Sequence, residues 1–330
     1  MAVIRGDNLA DMAREALAAF GGAAAIVNPG ETVFIKPNFG SLGMVKYNPI
    51  AVGESVKPEI VIAVAEECLK AGASMVTIGE GGQVPSWDWV TVPTFDGSST
   101  VAAEVQRLRD AHGDRVRLVC LNAETPEWLA VASQSCLATV DVSNLILQAD
   151  RVISLPVIKT HRWTLTTGAI KNLFGTTPIS HYNSPLISNM RQVLHDSGLH
   201  QILVDISKAV RTDFAITDFS LGCEGNGPHV LPGWWGTTVD VRDRLGTWML
   251  LASTDPVALD ATSARVISLN AEDVTHVRLA YEQGLGQMLE EKITLTGATL
   301  DEIRMPWQPP QPTEGFLEVM IPGIHLLTDS

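Results

Sequence analysis

The chain has 330 residues, of which 45% are hydrophobic and 18% charged, and its formal net charge at pH 7 is −14. A chain of this composition can bury a substantial core and is not expected to be disordered. The acidic balance argues against general binding of nucleic acids, because that needs a basic face. The length predicts one large domain over 1–330, which could divide into two intimate lobes, 1–150 and 151–330.

The cysteines bear on whether the chain holds an iron–sulfur cluster, and the apolar runs bear on whether it is located in a membrane. The four cysteines are scattered and form no C-x-x-C pair, so we predict no iron–sulfur cluster in this chain. The pattern of the first 20 residues indicates an amphipathic helix rather than a signal peptide. No apolar run reaches the roughly 20 residues of a membrane span. We therefore expect a cytoplasmic protein with neither a membrane nor a nucleic acid as partner.

Strand-like apolar runs alternate with helical patterns along the chain. This alternation predicts an α/β fold with a mainly parallel sheet flanked by helices. The near-continuous apolar character of the runs is typical of strands that are covered on both faces. The predicted strands are 32–35, 74–78, 115–121, 151–158, 214–217 and 247–253, and the clearest predicted helices are 57–73 and 101–113.

Polar side chains follow five of these strands at the point where each strand ends. In an open parallel sheet, ligands bind outside the carboxyl ends of the strands, so these side chains are expected to meet in one cleft. Any one of them could be an ordinary surface residue, but the repetition after five strands favours a site. The residues concerned are Lys36, Asn38, Glu80, Lys159, His161, Asp218 and Asp255.

The segment 155–175 gathers cations in an otherwise acidic chain. Lys159 and His161 are two residues apart, so in an extended strand their side chains share a face, and Arg162 follows directly. The gathering of charge at a strand end is what an anion-binding edge of the sheet requires.

A short helix is predicted directly after this strand, at 165–174. Thr164 is its expected N-cap, and Lys171 and Asn172 lie in its last turn. The helix would present both side chains at the same edge of the sheet as the strand that precedes it.

A second helix start is predicted after the last strand. Asp255 is the expected N-cap and Pro256 the first helical residue. Asp260 lies inside the first turns among apolar residues, where an unpaired carboxylate would be costly, so we expect it to pair with a cation such as Arg265.

The glycine-rich segment 224–229 is a candidate ligand-binding loop. Gly225 and Gly227 would let backbone N–H groups approach a ligand closely, although a plain turn is the alternative. The chain has no Walker motif, H-E-x-x-H motif or G-x-S-x-G motif, so the familiar nucleotide, zinc-protease and hydrolase functions lack support.

A cationic pocket in an acidic protein suits a small anionic molecule, either a carboxylate or a phosphate. A lysine or histidine in it could act as general base if burial lowers its pKa. The nearby carboxylates could hold a divalent metal, which needs oxygen ligands. We assign candidate catalytic roles to Lys159, His161 and Lys171, ligand binding to Lys36, Asn38, Arg162, Asn172, Gly225 and Gly227, and metal binding to Glu80, Asp218, Glu224 and Asp255.

An ordered set of motifs resembles DUF362, a family of unknown function. The motifs are "IKPNFG" (35–40), "LPVIKTH" (155–161), "GAIKNLFG" (168–175), "EGNGP" (224–228), "STDPVALDA" (253–261) and "HVRLAYEQGLG" (276–286). Many relatives carry a ferredoxin-like 4Fe–4S module, and this sequence departs from them because it has no such cysteine array. A weaker resemblance is to the lactate racemase family, whose pincer cofactor is held by lysine and histidine, as Lys159 and His161 would permit.

Three functions stay open at this point. The first is an enzyme that acts on a small anionic molecule by proton transfer or metal-assisted chemistry. The second, which the family resemblance implies, is a redox enzyme that uses an external iron–sulfur partner or a bound cofactor. The third is a non-catalytic carrier of a ligand or metallocofactor. Turnover would separate the first from the third.

Overall fold

The computed structural model describes residues 1–183, 191–230 and 235–311. Its strands are β1 (Ala2–Gly6), β2 (Thr32–Pro37), β3 (Met75–Glu80), β4 (Val116–Cys120), β5 (Trp128–Ala132), β6 (Thr139–Ser143), β7 (Arg151–Leu155), β8 (Val157–His161), β9 (Leu165–Thr166), β10 (Phe214–Glu224), β11 (Thr237–Asp240) and β12 (Trp248–Ser253). Its α-helices are α1 (Leu9–Ala18), α2 (Pro58–Lys70), α3 (Val101–His112), α4 (Leu121–Glu124), α5 (Asn144–Leu147), α6 (Ala169–Asn172), α7 (Ile179–Tyr182), α8 (Gln192–Asp196), α9 (Leu199–Val210), α10 (Arg242–Leu245), α11 (Pro256–Val266), α12 (Thr275–Glu282) and α13 (Leu300–Ile303).

The central sheet has the strand order β1-β12-β10-β7-β2-β3-β4. The five strands β10, β7, β2, β3 and β4 are parallel to one another. The edge formed by β12 and β1 is antiparallel. The predicted α/β class with a mainly parallel sheet is therefore confirmed. Strand β7 lies between β2 and β10, next to strands from both halves of the chain, and the division at residue 150 stays a prediction.

Alternate side chains of the central strands enter two different cores. Ile35 of β2 packs in one core with Leu17 of α1 and Ile60 of α2. Phe34, the preceding residue, packs on the opposite face with Ile202 of α9. Because successive side chains of a strand point to opposite faces, one short apolar run serves both layers of helices. This explains why the strands read as continuous apolar runs.

The strand predicted at 151–158 is interrupted at Pro156, which separates β7 from β8. A proline has no N–H to donate to a sheet, and its carbonyl instead accepts a hydrogen bond from Asp218 N–H at 2.8 Å. Strand β10 pairs with β7 near Phe214 and then with β8 near Asp218, so it runs on well beyond the predicted end at 217. Because of this interruption, Lys159 and His161 lie on β8, a strand separate from β7.

The helix predicted at 165–174 begins later than expected. Thr164 does not cap it, because Leu165 and Thr166 form strand β9 against β8 and the helix α6 starts only after Gly168. The helix start predicted at Asp255 is confirmed, since the Asp255 side chain accepts a hydrogen bond from Ala258 N–H at 2.9 Å at the start of α11.

A fully buried ion pair joins the start of α2 to the middle of β10. Nζ of Lys57 lies 3.3 Å from Oδ2 of Asp218, and both side chains are 0% exposed. The same carboxylate accepts a hydrogen bond from the backbone N–H of Lys57 at 3.1 Å and from the Ser220 hydroxyl at 2.6 Å. Burial lowers the pKa of Lys57, and the Asp218 charge opposes that shift. The pair fixes α2 against the sheet.

We predict that Lys57→Met lowers the free energy of unfolding by about 3–5 kcal/mol, because it leaves the Asp218 charge buried without its partner. Urea unfolding of the variant measures this loss. The matched double variant, with Asp218→Asn added, should recover part of it. An unchanged unfolding midpoint in Lys57→Met would contradict the prediction.

Candidate active site

A cavity of about 120 Å³ lies at the carboxyl ends of β2, β3 and β8. The structure brings seven of the predicted residues to its wall, among them Lys36, Lys159, His161 and Lys171. Asn38, Asn172 and Glu80 line it as well. The cavity therefore occupies the place where ligands bind in open parallel sheets.

Lys36 and Glu80 form a buried ion pair at the wall of this cavity. Nζ of Lys36 lies 2.7 Å from Oε2 of Glu80, and neither side chain is more than 2% exposed. The carboxylate also accepts hydrogen bonds from three backbone N–H groups, those of Phe39, Gly81 and Gly82. The positive charge of Lys36 is thus compensated inside the protein, and the oxygens of Glu80 are already engaged.

A chain of amide hydrogen bonds orients Lys159. Its Nζ donates to Oδ1 of Asn38 at 2.9 Å and to the Glu54 carbonyl at 2.6 Å. Nδ2 of Asn38 donates to Oδ1 of Asn172 at 3.2 Å, and Asn172 in turn donates to the Lys36 carbonyl at 2.7 Å. Burial lowers the pKa of Lys159 to about 8, although the nearby Glu54 charge opposes the shift. The two asparagines thus help to hold the amine of Lys159 in place.

Asp260 holds the start of α6, the helix that carries Lys171. Its two carboxylate oxygens accept hydrogen bonds from Ala169 N–H at 2.7 Å and Ile170 N–H at 3.0 Å. These are N–H groups that the first turn of a helix leaves without partners. The expected pairing with Arg265 is wrong, because Arg265 instead bonds the Met288 carbonyl and pairs with Glu290. Burial raises the pKa of Asp260 to about 7.

Lys171 is a half-buried cation with a depressed pKa. Its Nζ lies 4.2 Å from the centre of the Phe174 ring, a cation–π distance. Burial is the main cause that lowers its pKa to about 7, and the charges of Lys159 and Arg191 add to it. At neutral pH the amine is therefore divided between its charged and neutral forms.

His161 is neutral and faces the cavity as a donor. Burial, followed by the charges of Lys171, His195 and Lys159, lowers its pKa well below the usual range. Its Nδ1 accepts the Trp163 N–H at 3.2 Å, so the ring proton resides on Nε2. His161 can therefore donate a hydrogen bond to an anionic ligand without carrying charge.

His229 and Glu54 form a dyad that the sequence pattern did not predict. Nδ1 of His229 lies 3.0 Å from Oε2 of the buried Glu54 carboxylate. A proton held on Nδ1 leaves Nε2 as an acceptor, and His229 lines the cavity. Glu54 is held in turn by the Tyr47 hydroxyl and the Val230 N–H. The signal that could have found His229 is its place at the end of the glycine-rich segment 224–229.

Arg191 and His195 also line the cavity and were not predicted. The guanidinium of Arg191 donates to the carbonyls of Thr177 and Gly82, each at 2.8 Å, and burial lowers its pKa to about 10. Nδ1–H of His195 donates to the Arg191 carbonyl at 2.9 Å, and burial lowers the pKa of His195 to about 3. No motif in the sequence marks either residue.

Arg162, Gly225 and Gly227 lie beside the cavity rather than in its wall. The Arg162 guanidinium stacks over the Trp235 ring at 5.1 Å, and the backbone N–H of Arg162 donates to the Gly227 carbonyl at 3.2 Å. The Gly225 carbonyl accepts the Thr160 hydroxyl at 2.7 Å. The glycines let this loop approach β8 closely, and Pro228 and His229, which follow them, reach the cavity.

The four carboxylates proposed as metal ligands have separate partners. Glu80 bonds Lys36 in the cavity, while Asp218 bonds Lys57. Glu224 pairs with Arg244 at 2.8 Å, and Asp255 caps α11. Among the residues that the structure describes, no group of three or more His, Cys, Asp or Glu side chains is arranged to hold a metal ion.

Within the same described ranges, no helix is long and apolar enough to cross a membrane.

Comparison with known proteins gives a family and three more distant similarities. Residues 33–265 match the family described as "Domain of unknown function (DUF362)". A thylakoid-associated protein of Synechocystis is 26% identical over 283 residues, which cover 83% of this chain and 74% of that protein.

Two solved structures are similar at lower levels. The lactate racemase apoprotein of Thermoanaerobacterium thermosaccharolyticum overlaps with a TM-score of 0.36 and 9% identity over 66% of this chain, which spans half of that structure. A protein of Thermotoga maritima overlaps with a TM-score of 0.41 and 11% identity, over 84% of this chain and 60% of that one.

We predict that Lys171→Met stabilises the protein, and more so at low pH. Below pH 7 the ammonium is charged in both the folded and the unfolded state, so the full cost of burying it is present. Between about pH 7 and its ordinary pKa of 10.5, the folded state has lost the proton that the unfolded state keeps, and the cost declines.

Urea unfolding of wild type and variant at pH 6 and pH 9 measures this difference. The exposed Lys292→Met is the matched control and should show the same small effect at both pH values. A gain from Lys171→Met that is equal at pH 6 and pH 9, or larger at pH 9, would contradict the depressed pKa.

Proposed function

The chain belongs to the DUF362 family, whose description leaves the function open, and we propose that it is an enzyme that acts on a small carboxylate or phosphate by proton transfer. The observation that carries this proposal is the convergence of Lys159, Lys171 and Arg191 on one cavity. Among the described residues, none of the three forms an ion pair with a carboxylate, whereas Lys36 in the same wall does.

An anionic ligand would compensate these charges. Lys159 and Arg191 are each at most 4% exposed, and burying a cation without an anionic partner is costly. The protein places these cations around one cavity at the carboxyl edge of the sheet, although its overall charge is −14. A small carboxylate or phosphate is bound strongly by such donors, because both its charge and its acceptor oxygens are satisfied. The cavity volume of about 120 Å³ suits a small molecule.

Proton transfer is supported by groups that are neutral, or partly neutral, at neutral pH. A general base works best when its pKa lies near the working pH, and Lys171 meets that condition. His229 lies in the same wall, and in the ring tautomer that carries its proton on Nδ1, facing Glu54, its Nε2 is an acceptor. His161 offers a neutral donor in the same wall. The cavity thus combines anion binding with candidates for both the base and the acid.

Metal-assisted chemistry is the variant of this function that the site favours less. Glu80 lines the cavity, yet its oxygens accept from Lys36 and from three backbone N–H groups. A carboxylate engaged in this way has little capacity left for a metal ion. For that reason the proton-transfer chemistry is the part of the proposal that we develop.

We predict that Lys159→Met and Lys171→Met weaken the binding of pyruvate, acetate or inorganic phosphate. Each loss should be about 1.5–3 kcal/mol, the size of a charge-assisted hydrogen bond. For Lys171 the wild-type affinity should also fall as pH rises through about 7, because the ammonium loses its charge. Isothermal titration calorimetry at pH 6, 7 and 8.5 measures both effects, with Lys292→Met as the matched control.

Exchange of carbon-bound hydrogen tests the chemistry on the same samples. In deuterated water, proton abstraction next to a carbonyl would introduce deuterium into pyruvate, which proton NMR detects. Wild type should accelerate the exchange and Lys171→Met should not. Failure of all three anions to bind would overturn the proposed site, and binding without accelerated exchange would favour a non-catalytic carrier.

A further inference from the structure

Lys171 differs from the other buried or cavity-lining lysines in its contacts. Lys36 pairs with Glu80 and Lys57 with Asp218. Lys159 donates to two oxygen acceptors. In the part of the chain that the structure describes, the Nζ of Lys171 has instead an aromatic ring beneath it, that of Phe174 at 4.2 Å. Within the described residues, its nitrogen is therefore not committed to an oxygen acceptor.

The surroundings of Lys171 favour a neutral amine that faces a ligand. Lys159 and Arg191 lie close enough for their charges to oppose a third positive charge there. Both of them are held in place by carbonyl oxygens, Lys159 by Glu54 and Arg191 by Gly82. An amine that is desolvated, or that stands beside other cations, is a recognised nucleophile towards carbonyl groups, because its lone pair is available at neutral pH.

Lys159 and Arg191, the two neighbouring cations, also indicate which chemical groups the ligand carries. A carboxylate bound by Lys159 and Arg191 would present the adjacent carbon atom to the same cavity that Lys171 lines. If that carbon carries a carbonyl group, it meets an amine rather than a third cation.

We infer that Lys171 is an imine-forming nucleophile and that the substrate class is a small oxo acid, a molecule with both a carbonyl group and a carboxylate. This inference rests on the proposed function, and it names the substrate class and the reacting atom of the same site.

The step balances without any further reactant. The lone pair of the neutral Nζ forms a bond to the carbonyl carbon, and the electron pair of the broken C=O π bond moves to oxygen, which takes up a proton. The nitrogen loses its two protons in all and the oxygen takes up a second one, so that cleavage of the C–O bond releases one water and leaves the C=N bond. Uptake of a proton from water then gives the protonated imine. The neutral donor His161 faces the same cavity and can hydrogen-bond the carbonyl oxygen during attack.

Imine formation agrees with proton transfer as the overall chemistry. A protonated imine withdraws electrons from the neighbouring carbon and makes its hydrogen easier to remove as a proton. His229, whose Nε2 is the acceptor when Glu54 holds the proton on Nδ1, is a base in the same wall that does not depend on Lys171. Lys171 would then bind the substrate covalently while His229 removes the proton.

Reductive trapping tests the inference on the full chain. The protein is incubated with pyruvate or glyoxylate and sodium cyanoborohydride at pH 7, and the modified residue is identified by peptide mass spectrometry. We expect the reduced adduct on Lys171, on the order of 1,000-fold more than on the exposed Lys292, because a pKa near 7 leaves about half of the amine neutral and an ordinary lysine far less.

Variants and a binding measurement extend the same experiment. Lys171→Arg keeps a cation but should abolish the adduct, whereas Lys292→Met should leave it unchanged. The wild-type peptide map alone locates the adduct if Lys171→Arg fails to fold. Pyruvate that binds by calorimetry without forming an adduct on Lys171 would overturn the imine and leave the proposed function standing. Failure of pyruvate, acetate and phosphate to bind, together with absence of the adduct, would overturn both.

Discussion

The site depends on the buried ion pair between Lys36 and Glu80. Because Glu80 accepts from Lys36 and from three backbone N–H groups, it ties the loop after β2 to the loop after β3. The packing around the pair leaves no room for a side chain at Gly175, where an added Cβ would lie 2.6 Å from Oε1 of Glu80. The segment that follows Lys171 can therefore lie directly on the ion pair.

The same pair determines which charges remain for a ligand. In the described part of the cavity wall the carboxylate is that of Glu80, and it is paired with Lys36. The charges of Lys159, Lys171 and Arg191 are therefore not compensated there by direct ion pairs. Asn38 and Asp260 fix two of these residues, one by bonding Lys159 and the other by holding the first turn of α6. An acidic protein thus keeps a small region of positive charge, which is where we propose that an anion is bound.

The parallel sheet and part of the site could be predicted because they depend on local pattern. Apolar runs indicate the strands, and Lys36 and Lys159 are found because they follow strands directly. The His229–Glu54 dyad joins residues 175 positions apart, and Asp260 reaches Ile170 across 90 positions, so only the tertiary fold brings these groups together. Arg191 carries no local signal, since its place in the cavity depends on carbonyl oxygens of distant loops. The late start of α6 could not be predicted, because Leu165 and Thr166, which look like the first turn of a helix in the sequence, form strand β9 instead.

The chemistry proposed for the site requires that Lys171 lies near the cations Lys159 and Arg191 and is partly neutral at neutral pH. Its side-chain pKa can be measured directly by following the lysine resonances of isotopically labelled protein by NMR as a function of pH, with Lys171→Arg used to assign the signal. We expect a midpoint at about 7 for the resonance that the variant lacks, and a midpoint that rises when phosphate is added. A midpoint near the ordinary value of 10.5, unmoved by phosphate, would contradict this chemistry.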